Sequence, residues 1–157
     1  MAIPLSFVVT TDEIAESFDN GMEFFSSFGG NPVSCAIGMA VLDVIDEEGL
    51  QKNALDVGNY FLNLLYDLQR EFPVIGDVRG SGLFLGVEFV KGLETMEPNT
   101  KLAQLVKNKL RENFILVSTD GPYDNVIKMK PPLCFDRSNA VTVATSMMDL
   151  LKLHGKV

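Results

Sequence analysis

The segment SSFGGNP, residues 26–32, places two hydroxyls and two glycines directly before an apolar run. Asn31 suits the N-cap of a helix and Pro32 suits its first position. The free N–H groups at a helix start carry the positive end of the helix dipole, and glycines let an anion approach the backbone. The segment therefore predicts either an anion site, to which Ser26 or Ser27 adds a hydroxyl, or a tight turn that leads into the helix.

A second candidate site lies on the predicted strand VIKMK, residues 126–130. Because side chains alternate along a strand, Lys128 and Lys130 share one face while Ile127 and Met129 occupy the other. Two ammonium groups just before a Pro-Pro pair would suit a phosphate or a carboxylate. The alternative is an edge strand whose lysines deter pairing with another chain.

Other motifs exclude several kinds of chemistry. The glycines of RGSGLFLG miss the G-x-G-x-x-G spacing and precede a strand, so no dinucleotide loop is expected. Arg79 is predicted to form a structural ion pair or a contact with a carbonyl group, and an anion site is the alternative. His154 is the only histidine, which argues against a metal site and against Ser-His-Asp chemistry. Cys35 and Cys134 are expected to be buried small apolar residues of a protein from a reducing compartment.

Composition and charge limit the partners. The chain has 157 residues and a net charge of −8, and its basic residues are scattered, so neither nucleic acid nor an anionic membrane is an expected partner. No apolar run reaches the ~18 residues that span a bilayer. The apolar start lacks a positively charged region and a cleavage site, so no signal peptide is predicted.

The first half of the chain is predicted to be mainly helical. A short strand, SFVV, precedes a helix capped by Thr11 or Asp12. The helix from Pro32 is apolar nearly all round, so it is expected to be buried on most sides. Gly49 separates it from a long amphipathic helix that ends before Pro73.

The second half is predicted to form an α+β domain. From about residue 76 the order is strand-strand-helix-strand-strand-helix, with FILVS and VIKMK as the later strands. Asp136 is the expected N-cap of the last helix. This order predicts a short sheet with helices on one face, and the apolar first helices indicate that the chain is part of something larger.

Four segments resemble one family when they are taken in order. They are FVVTTDEIAESF, SSFGGNPVSCAIGMAVLDVIDEEGL, DVRGSGLFLGVEFV and STDGPYDNVIKMKPPLCF. Over nearly the whole chain they are similar to the C-terminal part of class-III pyridoxal-phosphate-dependent aminotransferases, of fold type I. The segment around NVIKMKPPLCF is most similar to the ethanolamine-phosphate and 5-phosphohydroxylysine phospho-lyases of this family.

The resemblance implies a fold, a cofactor and two site residues. Residues 1–48 would be a remnant of the large cofactor domain plus a connecting helix, and residues 49–157 the small C-terminal α+β domain of an α/β enzyme. Ser27 would reach the phosphate of pyridoxal phosphate (PLP) across a homodimer. Lys128 matches the position where many family transaminases carry an arginine for a substrate carboxylate. A lysine is a point charge without a bidentate fork, which suits an amine phosphate.

One departure from the family concerns catalysis. Family members form a Schiff base through a lysine just upstream of the VVTT segment, and no lysine of this chain has a matching context. We therefore expect a fragment that has no catalytic residue of its own and is inactive alone. Its expected location is the cytoplasm, with the mitochondrion as the alternative. The alternative is a non-catalytic module that binds a small anion through Ser27 and Lys128, or that associates with a partner subunit through its apolar helices.

Overall fold

The computed structural model describes residues 5–155 and divides the chain into two compact units, Met1–Glu48 and Gly49–Val157. The outermost limits of the predicted domains, residues 1 and 157, lie outside the described part. No helix within residues 5–155 is long and apolar enough to cross a membrane.

The first unit contains two helices, α1 (Asp12–Phe18) and α2 (Pro32–Glu47). The predicted cap of α2 is confirmed, because the Asn31 side chain accepts a hydrogen bond of 3.1 Å from the Ser34 N–H. The predicted strand SFVV is wrong, since residues 5–10 are irregular. A strand requires a hydrogen-bonded neighbour, and no such neighbour exists among the described residues.

Helix α2 is not buried as its composition predicted. None of its residues is buried, and Val33 keeps 65% of its surface exposed. An apolar helix is removed from water only where another surface packs against it, and residues 5–48 contain no buried side chain that could form such a surface.

The second unit has the predicted order of elements. It consists of α3 (Leu50–Glu71), β1 (Ile75–Ser81), β2 (Phe84–Phe89), α4 (Thr100–Glu112), β3 (Ser118–Asp120), β4 (Val126–Met129) and α5 (Arg137–His154). Asp136 caps α5 as predicted, because its carboxylate accepts a hydrogen bond of 2.9 Å from the Asn139 N–H. His154 lies in the last turn of α5.

The predicted strand FILVS is misplaced, because β3 begins only at Ser118. Phe114 adopts a left-handed conformation with φ of 60°. The N–H groups of Phe114 and Ile115 donate to the last carbonyls of α4, Arg111 O and Leu110 O, at 3.0 and 2.9 Å. These donors close the end of the helix and are therefore not available for a strand ladder.

The four strands form an antiparallel sheet in the order β1-β2-β4-β3. Val78, Val87, Ile127 and Thr119 are aligned across it on the face covered by α3 and α4. The first three of these residues are buried in the core. Helices on one face of a short sheet were predicted, and this arrangement is confirmed.

A close approach between a helix and a turn explains a glycine inside α3. A Cβ on Gly58 would overlap the carbonyl oxygen of Gly82, which lies in the β1–β2 turn with φ of 53°. Glycine normally weakens a helix interior, so its presence here follows from packing. The contact brings α3 against the hairpin that carries the candidate site.

Both cysteines differ from the prediction. Cys35 and Cys134 are free and exposed rather than buried. Cys35 lies on the unburied helix α2, and Cys134 lies in the loop before α5, so neither position gives a small apolar side chain a core to enter. Within residues 5–155, no group of three or more His, Cys, Asp or Glu could hold a metal ion.

Candidate functional site

The face of the sheet opposite the helices carries the candidate site. Arg79 on β1, Gly86 on β2 and Lys128 on β4 are paired in register, so they form one row across three strands. Gly86 has no side chain, which leaves a gap between the two cations. A cavity of about 460 Å³ opens over this row, and it is lined by Arg79, Gly80, Ser81, Phe84, Leu85, Gly86, Asp120, Gly121, Val126 and Lys128.

Acidic residues occupy the neighbouring row, which contains Asp77, Glu88, Val126 and Asp120. The Arg79 Nη1 group donates to Asp77 Oδ2 at 2.5 Å and to Glu88 Oε2 at 2.8 Å. The ammonium of Lys128 forms an ion pair with Asp120. Each cation of the central row is therefore held by acids from one side only.

The other side of the row is different in character. Ser81 is paired with Phe84, and Lys130 Nζ lies 4.6 Å from the centroid of the Phe84 ring, a cation–π contact. Lys130 therefore lies on the same face as Lys128, as predicted, and the buried Ile127 and Met129 lie on the opposite face. The site thus has carboxylates on one flank and a hydroxyl with an ammonium on the other.

These contacts shift the pKa values of Arg79 and Asp120, each in the direction that favours the charged form of the side chain. The hydrogen bond to Asp77, followed by that to Glu88, raises the pKa of Arg79 above its ordinary value. The hydrogen bond from Lys128, followed by that from the Gly121 N–H, lowers the pKa of Asp120. Arg79 and Asp120 are therefore held in their charged forms at neutral pH.

The predicted anion segment SSFGGNP lies in the first unit and forms a tight turn. The Gly29 N–H donates to Ser26 Oγ at 3.0 Å, and Gly30 has φ of 70°. The hydroxyl of Ser27 is exposed and has no hydrogen-bond partner among residues 5–155. A free hydroxyl just before the N-terminus of α2 fits one part of the PLP cofactor, its phosphate.

Sequence reasoning identified Lys128 and predicted that Arg79 forms a structural ion pair, which is confirmed. It missed Gly86, Glu88 and Asp120. The Asp-x-Arg spacing of Asp77 and Arg79 was a readable signal, because residues two apart share a strand face. The ion pair of Arg79 with Glu88 and that of Lys128 with Asp120 depend on strand register, which cannot be read from a short stretch of sequence.

Comparison with known proteins identifies the family. The family model described as "Aminotransferase class-III" matches residues 2–151. The chain belongs to the class-III aminotransferase family. The resemblance in the four sequence segments is therefore confirmed.

Two curated relatives have informative names. The chain is 52% identical over 139 residues to "Alanine--glyoxylate aminotransferase 2-like" of Drosophila melanogaster, with 87% of this chain and 28% of that protein covered. It is 40% identical over 154 residues to "Ethanolamine-phosphate phospho-lyase homolog 1" of Caenorhabditis elegans, with 98% and 33% covered. The chain thus spans a third or less of the length of these relatives.

Solved structures agree with this family. An Arthrobacter phospholyase in complex with phosphoethanolamine superposes with a TM-score of 0.85 at 36% identity, over 91% of this chain and 34% of that one. A PLP-bound amine transaminase from an uncultivated Pseudomonas species gives a TM-score of 0.79 at 28% identity, over 92% and 34%. The predicted fold, that of the C-terminal region of fold type I PLP enzymes, is confirmed.

Proposed function

We propose that this chain is the C-terminal part of a class-III PLP enzyme that acts on a phosphorylated amine, and that Lys128 binds the anionic group of the substrate. The phospho-lyase names of the worm relative and of the Arthrobacter structure support this substrate class. Elimination of phosphate is favoured over transfer of the amino group.

Lys128 is the observation that carries the proposal. Its side chain is partly exposed, with 28% of its surface accessible, and it lines the open cavity over Gly86. An ammonium is a compact charge that suits a phosphate, whereas an arginine matches the planar fork of a carboxylate. A site that binds a phosphate group would therefore retain lysine here.

The preference of the Lys128 site for a phosphate or for a carboxylate tests the proposal. The 157-residue chain would be titrated with phosphoethanolamine and with β-alanine, while NMR follows the amide signals of Gly86 and Lys128. We expect the unmodified chain to bind phosphoethanolamine more tightly than β-alanine. In Lys128→Arg the preference should shift toward β-alanine, because the planar guanidinium of arginine matches a carboxylate. Binding of β-alanine at least as tight as that of phosphoethanolamine by the unmodified chain would contradict the proposal.

We further propose that Ser27 binds the PLP phosphate of a second subunit in a homodimer. PLP, when bound, supplies the electron sink for chemistry at the substrate amine. Ser27 would donate its hydroxyl to a phosphate oxygen, beside the N–H groups at the start of α2. Within this chain the free hydroxyl and the exposed turn support the assignment.

The covalent link to PLP is proposed to come from outside these 157 residues. Every lysine of the sequence lies after residue 51, and none in the described part is buried. Incubation with PLP, reduction with borohydride and mass spectrometry should therefore find no stoichiometric adduct at any single lysine. A full-yield adduct at one lysine would show that the chain contains its own Schiff-base residue.

A second candidate function, subunit association, is favoured by one specific observation. Large apolar side chains of the first unit are almost fully exposed: Val8 91%, Val9 85%, Phe25 79% and Phe28 86%. Apolar groups exposed in this number favour association. Sedimentation of the chain without cofactor should show a dimer under this reading, and a strictly monomeric chain over a wide concentration range would argue against it.

A further inference from the structure

On the open face of the sheet, the cationic and the acidic residues lie in separate rows, and a binding site made of Lys128 alone does not explain this separation. The row of Arg79, Gly86 and Lys128 contains only cations and a gap, and the acids lie in the next row on one side. Neighbouring strands are ~4.8 Å apart, so the backbones of β1 and β4 are separated by roughly 10 Å. Two long side chains that start from these strands can reach the space above Gly86 from opposite directions.

We propose that Arg79 and Lys128 together bind one dianionic phosphate over Gly86, so that Arg79 is a second substrate-binding residue of this site. This inference rests on the proposed function, because it adds a partner to Lys128 in the same cavity. It assigns Asp77, Glu88 and Asp120 a positioning role, and it predicts that any side chain at position 86 weakens binding.

The hydrogen bonds leave donors free for such a ligand. A guanidinium has five N–H donors, yet both acids that hold Arg79 accept from the same nitrogen, Nη1. Among residues 5–155, Nη2 and Nε of Arg79 have no hydrogen-bond partner. Likewise, Lys128 has three donors and donates to Asp120. A phosphate can therefore bind both cations without breaking the ion pairs that orient them.

The glycine provides the space. A Cβ on Gly86 would lie 3.3 Å from Val126 Cγ1 and 3.8 Å from Arg79 Cγ, so it would fit only if Val126 moved by a few tenths of an ångström. A glycine inside a strand often marks a place where a ligand approaches the backbone. Here it opens the floor of the cavity between the two cations.

The flank away from the acids suits a phosphate as well. Ser81 and Lys130 lie on this flank, where they add a hydroxyl donor and a further positive charge. A carboxylate has two oxygens and is satisfied by one arginine fork, whereas a phosphate has three oxygens that can accept from separate donors. The arrangement of separate cations therefore points to a phosphate monoester.

Phosphate binding by single-site variants tests the inference. The ¹⁵N-labelled 157-residue chain would be titrated with inorganic phosphate and with phosphoethanolamine, while NMR follows the Gly86 amide and the Arg79 Nε–H. We expect Arg79→Gln and Lys128→Gln each to weaken binding about tenfold, the usual loss for a hydrogen bond to a charged group. Gly86→Ala should weaken binding several-fold while both charges are retained.

The matched control is Arg70→Gln, which removes another arginine that forms an exposed ion pair, with Asp67 on α3. Its phosphate affinity should equal that of the unmodified chain. If Arg79→Gln changes the circular dichroism spectrum, the shift of the Arg79 Nε–H signal on phosphate addition and the affinity of Gly86→Ala replace it, since both are measured with the arginine in place.

The outcomes separate this inference from the proposed function. If Lys128→Gln weakens binding but the Arg79 and Gly86 variants do not, Arg79 is not a ligand and the proposed function stands. If Arg79→Gln weakens binding and Lys128→Gln does not, the two-cation site and the role of Lys128 are both overturned. If phosphate perturbs no signal on this face, both proposals are wrong.

Discussion

The two units of the chain contain helices rich in apolar residues, yet only one of them has a core. Residues 49–155 bury a continuous cluster that includes Phe61, Phe89 and Met147, with 1%, 0% and 0% of their surfaces exposed. Residues 5–48 bury no side chain, although α2 is dominated by apolar residues. The apolar residues of α3 lie on one stripe that meets the sheet, whereas those of α2 have no such surface within their unit.

This difference shows that apolar composition alone does not determine burial. A helix leaves water when its apolar face meets a complementary surface, and amphipathic sorting as in α3 is the sign that the surface belongs to the same unit. A helix that is apolar nearly all round, such as α2, requires surfaces on several sides. Under the proposed function, those surfaces belong to the remainder of the enzyme and to its second subunit.

The sharpest test of this comparison is the truncation of one phenylalanine in each unit. Phe61→Ala should lower the free energy of unfolding by about 3–5 kcal/mol, because it removes a buried ring and leaves a cavity. Phe28→Ala should change it by less than ~0.5 kcal/mol, since 86% of the Phe28 surface is already exposed. Urea unfolding followed by circular dichroism measures both, and equal losses would show that the first unit also has a core.

A second test adds one methyl group to each unit. Gly58→Ala should destabilise the second unit by about 1–3 kcal/mol, because the new Cβ would overlap the backbone carbonyl of Gly82. In the first unit, the Cβ of Gly38→Ala would meet only the flexible side chain of Leu5. That substitution should leave global unfolding unchanged and strengthen α2 by up to about 1 kcal/mol.

Amide hydrogen exchange resolves the two helices separately. Exchange within α2 should slow in Gly38→Ala, and exchange throughout α3 should accelerate in Gly58→Ala. The control is Gly92→Ala, in the second unit, because nothing lies within 4 Å of the added Cβ. If Gly58→Ala behaved like Gly92→Ala, the close contact between α3 and the hairpin would be incorrect.

The smallest expected effect concerns the two helix caps and pH. The Ser138 hydroxyl, followed by the Asn139 N–H, lowers the pKa of Asp136. A lowered folded-state pKa means that the ionised cap adds stability that is fully present above the ordinary aspartate pKa of about 4, and that this stability is lost as pH falls from that value through the lowered pKa of the folded state. Asp136→Asn should therefore reduce the difference in thermal midpoint between pH 7 and pH 3.

The corresponding change in the first unit is Asn31→Asp, at the cap of α2. It introduces a titrating cap on a helix without buried residues, so the midpoint of global unfolding should keep the pH dependence of the unmodified chain. A change in the pH dependence of the global midpoint in Asn31→Asp that is as large as that in Asp136→Asn and opposite in sign would indicate that α2 unfolds together with the second unit.

Local patterns predicted much of the second unit because capping residues and the spacing of apolar residues mark its helices and most of its strands. Asp136 marks the start of α5, and alternation correctly separated Lys128 from Ile127. The strand FILVS was misplaced because Phe114 takes a left-handed conformation that closes α4, and a bulky residue rarely adopts it. The opening strand SFVV failed for a different reason, since its apolar residues find no neighbouring strand.

The sequence by itself determined the caps Asn31 and Asp136, the two faces of β4 and the family, because each depends on residue types at short spacing or on motifs in order. Only the tertiary structure decided which residues meet on the open face. Arg79 and Lys128 are far apart in the chain, and they share a row because β2 pairs with both of their strands. That register is set by packing α3 and α4 against the opposite face, and a shift of β1 or of β4 by one residue would turn the cation of that strand toward the core.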